Sequence, residues 1–467
     1  MVLKATHPNP NAPSLTGRRV LVIGLGRFGG GVGVTRWLIA QGAKVAVTDS
    51  APAETLRESV EAVADLGVQL ILGSHDGIDL SKTDLVVVNP AVRKKTSALF
   101  RAVADAGVAW TTEMNLFCER CPAPVVGVTG TYGKSTTCVM LAAALEALRV
   151  SGTKLFNSVH LGGNIGRSLL GDLDKIRASD LVILEMSNAQ LEDLPRIEWR
   201  PATAVITNIE PHHLDRYESF REYVDAKLNI VRGGGTAKVI VGALHREAES
   251  MLAGVIGEKQ ELLRVVQPEP PVVLRVPGRH NRTNAACVLT ICRALGVDER
   301  IARGAMVEFR GLPHRLEVVR TLNGVTYIDD SKSTAPATTV TAVESITEGD
   351  SDDTSHRTTV AIVGGECKNV SLAEVARALA ASCKAVICTG ASGPTFATAV
   401  RCETDGSAEA KKCVVVETDD LEGAVAAAQR RSAPGDTILF SPGAPSFDVY
   451  SNFAERGEHF AELVRSL

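Results

Sequence analysis

Short apolar runs rich in Val and Ile, bounded by glycine or polar residues, alternate along this chain with longer stretches whose apolar residues recur at helical spacing. Runs of that length read as buried strands, and strands alternating with helices read as parallel sheets covered on both faces. Arg18–Ile23 and Lys44–Asp49 flank a helical stretch and form a βαβ unit, followed by a strand over Asp84–Val88 that ends at Asn89-Pro90. Ala123–Val128 runs into a glycine turn and then a helix over Thr136–Arg149, with further strands expected at Leu181–Leu184 and Ala204–Thr207. A third series places strands at Val325–Ile328, Thr359–Val363, Ala385–Cys388 and Thr437–Phe440. Thr347–Ser355 and Glu403–Ser407 are polar and read as surface loops.

At 467 residues the chain exceeds what one core can hold, given about 150 residues per domain. The expected fold class is α/β in three domains: a Rossmann-like domain over 1–119, a P-loop ATPase-like domain with a mainly parallel sheet over 120–309, and a Rossmann-like domain over 310–467. The absence of a short-period repeat makes these successive domains rather than a solenoid. Charged content of 22% and a net charge of -4 lack the basic excess of a nucleic-acid binder, so no nucleic-acid partner is expected. No apolar run is long enough to span a bilayer and the first residues lack a signal-peptide layout, so a cytoplasmic protein is expected. It is expected to act as a monomer. The ten cysteines are scattered, and the one close pair, Cys118 and Cys121, has no second pair to complete a zinc site, so they read as reduced thiols.

The chemistry concentrates at Val128-Thr129-Gly130-Thr131-Tyr132-Gly133-Lys134-Ser135-Thr136, a strand, glycine turn and helix in sequence. Gly130 and Gly133 let backbone amides converge on phosphate oxygens. Lys134 supplies a compact positive charge and the Ser135 hydroxyl a magnesium ligand, with Thr131 and Thr136 completing the cradle for ATP. Val128 stands where the strict pattern has another glycine. A second turn, Gly24-Leu25-Gly26-Arg27-Phe28-Gly29, opens the first βαβ unit, and Asp49 lies about twenty residues on, where an acid can accept from a ribose hydroxyl. That fingerprint leaves a phosphate-bearing nucleotide, a nicotinamide cofactor, or plain strand-helix packing open. Glu185 ends a strand, where a magnesium-binding carboxylate would face the loop. His212-His213 suggest metal or phosphate chemistry, and Lys227 reads as an ordinary exposed helical lysine.

These strings, with Gly162-Gly163-Asn164-Ile165-Gly166, His213-Leu214-Asp215-Arg216 and Gly278-Arg279-His280-Asn281-Arg282-Thr283-Asn284, stand in the order seen in the Mur ligase family, which the chain resembles over nearly its whole length. Gly311–Arg315, Asp330–Thr334, Ser441–Asp448 and Asn452–Gly457 resemble the branch that adds D-glutamate to UDP-N-acetylmuramoyl-L-alanine in peptidoglycan synthesis. The resemblance implies that ATP phosphorylates the acceptor carboxylate to an acyl phosphate, which the amine of D-glutamate then attacks. It implies two magnesium ions, one at Ser135 and Glu185, and one at His213 and a carbamylated Lys227. Asn281, Asn284, Arg315, Asp330 and Lys332 would contact ATP. Asn164, Ser187, Gln190 and His213 would contact the muramoyl-alanine portion, and Gly26, Arg27, Phe28 and Asp49 the UDP portion. Thr334, Lys368, Ser446, Phe447 and Phe453 would hold D-glutamate. The chain departs from the family at Tyr132, commonly Asn, at His212, commonly Asp, at Asn188-Ala189, commonly Ser-Phe, and at Cys367 beside Lys368; it has no Arg soon after Asp49 and a short Lys227–Gly278 stretch. Remaining alternatives are a related ligase with another amino acid or a folate acceptor, an NAD-dependent oxidoreductase, or a catalytically silent binding protein on this fold.

Overall fold

Strands that are apolar on both faces are stable only where helices cover both, and the apolar runs of this chain pair accordingly. The computed structural model describes residues 12–27, 29–152, 155–166, 168–211, 217–232, 236–276, 278–347, 357–366, 370–406 and 412–467. In the amino-terminal sheet β1 (Arg19–Ile23), β2 (Lys44–Asp49), β3 (Gln69–Leu72), β4 (Leu85–Val88) and β5 (Trp110–Thr111) are ordered β3-β2-β1-β4-β5, every pairing parallel. The order reverses at β1, a switch point at which the carboxyl ends of β1 and β4 bring Gly24 and Asn89 into contact.

The central sheet is also wholly parallel, in the order β11-β10-β9-β6-β8-β7. Its strands are β6 (Val125–Thr129), β7 (Val159–Gly163), β8 (Leu181–Glu185), β9 (Thr203–Ile209), β10 (Lys238–Leu244) and β11 (Glu261–Arg264). Every residue of β6 and β8 is buried, each full-size apolar side chain contributing about 1.5–3 kcal/mol. The short stretch after Lys227 holds β10 and β11. In the carboxy-terminal sheet β12 (Glu317–Leu322), β13 (Val325–Asp329), β14 (Thr359–Gly364), β15 (Cys383–Thr389), β16 (Val414–Glu417) and β17 (Thr437–Phe440) are ordered β12-β13-β17-β14-β15-β16, with β12 the antiparallel edge.

The chain packs as two units, Met1–Pro268 with Asn284–Ala305, and Glu269–Thr283 with Met306–Leu467. In the first, one apolar cluster joins the amino-terminal and central sheets, including Trp37, Phe117, Val182 and Met186. Polar contacts pin the same join: Lys94 pairs with Asp193, Asn115 Nδ2 donates to the Asp193 carbonyl at 2.8 Å, and the Arg196 guanidinium stacks 3.7 Å from the Trp110 ring centre. In the second unit, separate cores cover the two faces of the sheet, one around Phe396 and Leu379, the other around Phe440 and Phe460.

Glu403–Gly406, expected as loop, instead closes the helix Gly393–Gly406, because Thr404 turns inward and is buried. Thr347 ends the helix Pro336–Thr347, and the rest of that stretch lies outside the described residues. No described helix is long and apolar enough to cross a membrane. The described cysteines are free thiols, and burial pushes Cys121 up to about 12 and raises Cys118 well above the usual thiol range.

Candidate active site

The register of the central sheet assembles the site. Val128 of β6 lies opposite Glu185 of β8 on one side and Val205 of β9 on the other, so the loop after β6, the acid ending β8 and the polar end of β9 share one edge. Val128 is fully buried inside β6, which accounts for a side chain where the phosphate-loop pattern has glycine: the turn begins only at Gly130. There φ is +152°, and an added Cβ would lie 2.0 Å from Thr207 Oγ1. Gly133, at φ +77°, caps the helix Lys134–Val150, and a Cβ there would lie 2.2 Å from Asn284 Oδ1. The first-turn amides of Lys134, Ser135 and Thr136 therefore end in a positive helix terminus suited to phosphate. Gly133→Ala is expected to weaken binding of a non-hydrolysable ATP analogue by roughly 10²-fold, from the clash and the left-handed backbone together; calorimetric titration checks it.

Lys134 Nζ donates to the carbonyls of Gly130 at 2.9 Å and Thr131 at 3.0 Å. Lys227 Nζ donates to the same Gly130 carbonyl at 2.7 Å, so two amines meet at one oxygen. Lys227, expected as an exposed helical lysine, is instead 1% exposed, on the inward face of the helix Phe220–Leu228, with its amine 4.8 Å from the Tyr223 ring centre. Burial first, then the charge of Lys134, hold its pKa well below the usual lysine range, with Glu185 pulling the other way. Burial and the Lys134 charge thus both disfavour the charged form at Lys227.

Glu185 is 1% exposed. Its Oε1 accepts from Asn164 Nδ2 at 2.9 Å, while Oε2 has no hydrogen-bond partner. The Asn164 amide also donates to the Glu185 carbonyl at 2.9 Å, and Gly163, at φ +96°, permits this approach because a Cβ would stand 2.3 Å from that carbonyl. A buried carboxylate oxygen without a donor is costly, and a hard divalent cation is the partner whose chemistry fits it.

Ser187 and Gln190 form a capping box on the short helix Asn188–Leu191, with the Ser187 amide and hydroxyl both donating to Gln190 Oε1 at 2.9 Å. At the carboxyl edge of the amino-terminal sheet Asp49 accepts from the amides of Gly26 and Ala51, each at 2.9 Å, and so shapes the glycine turn itself. Arg27 is exposed there. Asn89, at the strand end named above, donates from Nδ2 to the Gly24 carbonyl at 3.3 Å, and sequence reading missed Glu113, a carboxyl whose pKa burial raises. Phe28, His212, His213, Cys367 and Lys368 lie outside the described residues. Asn281 and Asn284 are both buried on the helix Arg279–Leu295, and Asn284 accepts from Thr137 Oγ1 at 3.4 Å.

In the second unit, Asp330, Ser441 and Gly364 sit at the carboxyl ends of the neighbouring strands β13, β17 and β14. Asp330 accepts from the hydroxyls of Ser333 and Ser441 and from the Leu316 amide. Burial pushes its pKa up to about 6. Arg315 and Lys332 are exposed nearby in sequence, and Lys332 Nζ lies 5.7 Å from the Phe453 ring centre. His314, raised in pKa by its 2.7 Å contact with Asp329, anchors the turn before Arg315. A cavity of about 340 Å³ is lined by Thr334, Glu366, Val370, Pro445 and Phe447. Ser446 is buried beside this wall in sequence, and Phe453 stands by Lys332 rather than in the lining. Arg456, also missed, is 4% exposed, with Nη2 donating to the Ser331 carbonyl at 2.9 Å and Nε and Nη1 unpaired. Asp330→Asn tests the buried acid. The folded chain keeps a proton there that the unfolded chain releases near pH 4, so native stability falls as pH rises towards about 6. The variant is therefore expected to gain on the native chain from pH 4 to 7, by on the order of 1–3 kcal/mol; urea midpoints at the two pH values check it.

A glycine cradle at a helix terminus, with an ammonium and a buried acid facing it, defines a nucleotide-dependent enzyme. Residues 18–111 match the Mur ligase MurD-like N-terminal domain, 128–261 the Mur ligase middle domain, and 314–443 the Mur ligase glutamate ligase domain. The chain is 35% identical to the UDP-N-acetylmuramoylalanine–D-glutamate ligase of Roseiflexus sp., over 97% of this chain and 99% of that one. It is 33% identical to the enzyme of the same name from Symbiobacterium thermophilum, over 96% and 98%. The chain belongs to the Mur ligase family. Among solved structures, its fold is shared by the UDP-N-acetylmuramate-alanine ligase of Thermotoga maritima, with a TM-score of 0.56 at 20% identity, covering 96% of this chain and 99% of that one. The folylpolyglutamate synthase of Mycobacterium tuberculosis shares it at 0.52 and 14%, covering 76% and 93%.

Proposed function

We propose that this chain joins D-glutamate to UDP-N-acetylmuramoyl-L-alanine at the expense of ATP, as a cytoplasmic monomer in peptidoglycan synthesis. The observation that carries the reading is the near full-length likeness to curated D-glutamate ligases, on a chain whose phosphate cradle faces a buried acid and a buried amine. A carboxylate is a poor electrophile, so the terminal phosphoryl group of ATP passes to it first, giving an acyl phosphate. The amine of D-glutamate then attacks that carbonyl carbon, the amide bond forms, and phosphate leaves. Catalysis of this kind rests on positioning and charge neutralisation.

In this scheme the loop Gly130–Thr136 and Lys134 hold the β and γ phosphates, and Asn281, Asn284, Arg315, Asp330 and Lys332 the rest of ATP. Ser135, Glu185, His213 and Lys227 would hold two magnesium ions, whose charge would neutralise the phosphate oxygens. For Lys227 to ligate a cation it must first lose its own positive character. A neutral amine adds to the carbon of carbon dioxide, the N–C bond forms, one proton leaves, and the anionic carbamate offers oxygen ligands. The depressed pKa of Lys227 and its burial support that step. Asn164, Ser187, Gln190 and His213 orient the muramoyl-alanine carboxylate, and the Gly26–Asp49 turn receives the UDP portion. The cavity beside Thr334 and Phe447 takes D-glutamate, with Lys368, Ser446 and Phe453 contributing.

Supplying single amino acids and acceptors with ATP separates this from a ligase of different specificity. D-Glutamate with UDP-N-acetylmuramoyl-L-alanine is expected to form product on the order of 10²-fold faster than L-glutamate or any muramoyl peptide or folate acceptor. Equal rates with L-glutamate, or preference for another acceptor, would overturn the assignment.

A further inference from the structure

The phosphate loop of this chain carries a bulky Tyr132 at its tip, 49% exposed, and its backbone needs a support that fixes its shape. The end of β9 supplies it. Asn208 Oδ1 accepts from the Tyr132 amide at 2.9 Å and Asn208 Nδ2 donates to the Tyr132 carbonyl at 3.0 Å, so one carboxamide closes a two-point clamp on one residue's backbone. The Asn208 carbonyl accepts from the Thr131 amide at 2.9 Å. Thr207 Oγ1 donates to the same Tyr132 carbonyl at 2.7 Å and contacts the Thr129 carbonyl at 3.3 Å, an approach open only because Gly130 has no Cβ. Thr131 Oγ1 accepts from the Glu210 amide at 3.0 Å. Residues 129–132 are thus templated along their length by residues 207–210.

We propose that Asn208 is a positioning residue for nucleotide binding, fixing the loop through the Tyr132 backbone so that the amides of residues 130–136 converge on phosphate. This rests on the reading of the loop as the ATP cradle. Because the clamp grips backbone atoms, it can form with tyrosine at residue 132 as with the asparagine that the family commonly has there. Removing the carboxamide leaves the Tyr132 amide and part of its carbonyl demand unmet, and lets the loop sample shapes that do not bind.

The test titrates a non-hydrolysable ATP analogue with magnesium into the full-length chain and into Asn208→Ala, Tyr132→Ala and Tyr132→Asn, with melting temperatures recorded for each. Asn208→Ala is expected to weaken binding at least tenfold with a melting temperature close to native. In turnover it should raise the ATP KM and lower kcat while the KM values for the other substrates stay put. The two Tyr132 variants are expected to lose less affinity than Asn208→Ala, because the clamp grips backbone atoms that they keep. Native-like binding by Asn208→Ala, or equal weakening by Tyr132→Ala, would overturn the proposal. Direct nucleotide titration keeps this separate from the choice of acceptor and amino acid: failure of D-glutamate ligation leaves the binding comparison standing, whereas absence of any nucleotide binding by the native chain sinks both.

Discussion

Lys227→Ala is expected to lower synthesis by roughly 10³-fold or more, the scale seen when one preorganised electrostatic group is removed from a phosphoryl-transfer site. Loss alone would be ambiguous, since any buried side chain can be structural. The diagnostic part is rescue. A short carboxylic acid such as formate or acetate is expected to restore part of the activity, by placing a carboxylate where the carbamate stands. In the native chain, buffer freed of carbon dioxide should depress the rate and bicarbonate restore it. A fully active alanine variant, or a native rate indifferent to carbon dioxide, would show that no carbamate is needed. The amine also has a signature in stability. Its pKa is depressed by burial and by Lys134, so between that value and the usual lysine range the unfolded chain binds a proton that the folded chain refuses. Stability then rises with pH across that window, and in carbon-dioxide-free buffer near pH 7 Lys227→Met is expected to melt above the native chain while remaining inactive. Greater stability with lost function is what a site residue, rather than a structural one, should give.

Glu185→Gln is expected to cut kcat by about 10²–10³-fold and to shift the magnesium requirement upward. The change is nearly isosteric, and the amide oxygen can keep the Asn164 contact now made by Oε1 at 2.9 Å. What it removes is the charge on Oε2, the buried oxygen with no donor of its own. The folded state should tolerate the substitution or gain from it, because a neutral group is cheaper to bury than a carboxylate. Rates measured against magnesium concentration decide the matter: an unchanged curve, or a variant that simply unfolds, would remove Glu185 from the cation site.

Much of this architecture was legible in the sequence because parallel strands covered on both faces leave continuous apolar runs, as in Val125–Val128 and Leu181–Leu184. The glycine turns were legible for a related reason, since Gly130 and Gly133 occupy backbone geometries and close contacts that a side chain would forbid. Edge strands were not. Glu261–Arg264 and Val414–Glu417 have no buried residue, so their apolar runs are short or mixed. Nor were contacts made between distant segments. Asn208 and Thr207 looked like an ordinary polar strand end, and their function lies in bonds to residues about 75 positions earlier in the chain. Arg456 stood in the string Asn452–Gly457 with no role of its own, and only the fold buries it against Ser331. Lys227 is the sharpest case. Its helix carries Tyr223, Val224, Ala226 and Leu228 inward, and the lysine follows them to the Gly130 carbonyl, which no local pattern announces. The helical end at Glu403–Gly406 was misread for the opposite reason, since a polar composition concealed one buried residue, Thr404.

The central claim is that the cradle at Gly130–Ser135 presents the terminal phosphate of ATP to a carboxylate, and a single isotope experiment addresses it. UDP-N-acetylmuramoyl-L-alanine with both alanyl carboxylate oxygens replaced by oxygen-18 is incubated with ATP, magnesium, D-glutamate and the full-length chain, and the released phosphate is analysed by mass spectrometry. Transfer through an acyl phosphate requires one labelled oxygen in each phosphate released, with release dependent on D-glutamate and not supported by L-glutamate. Unlabelled phosphate, or release that ignores D-glutamate, would contradict it.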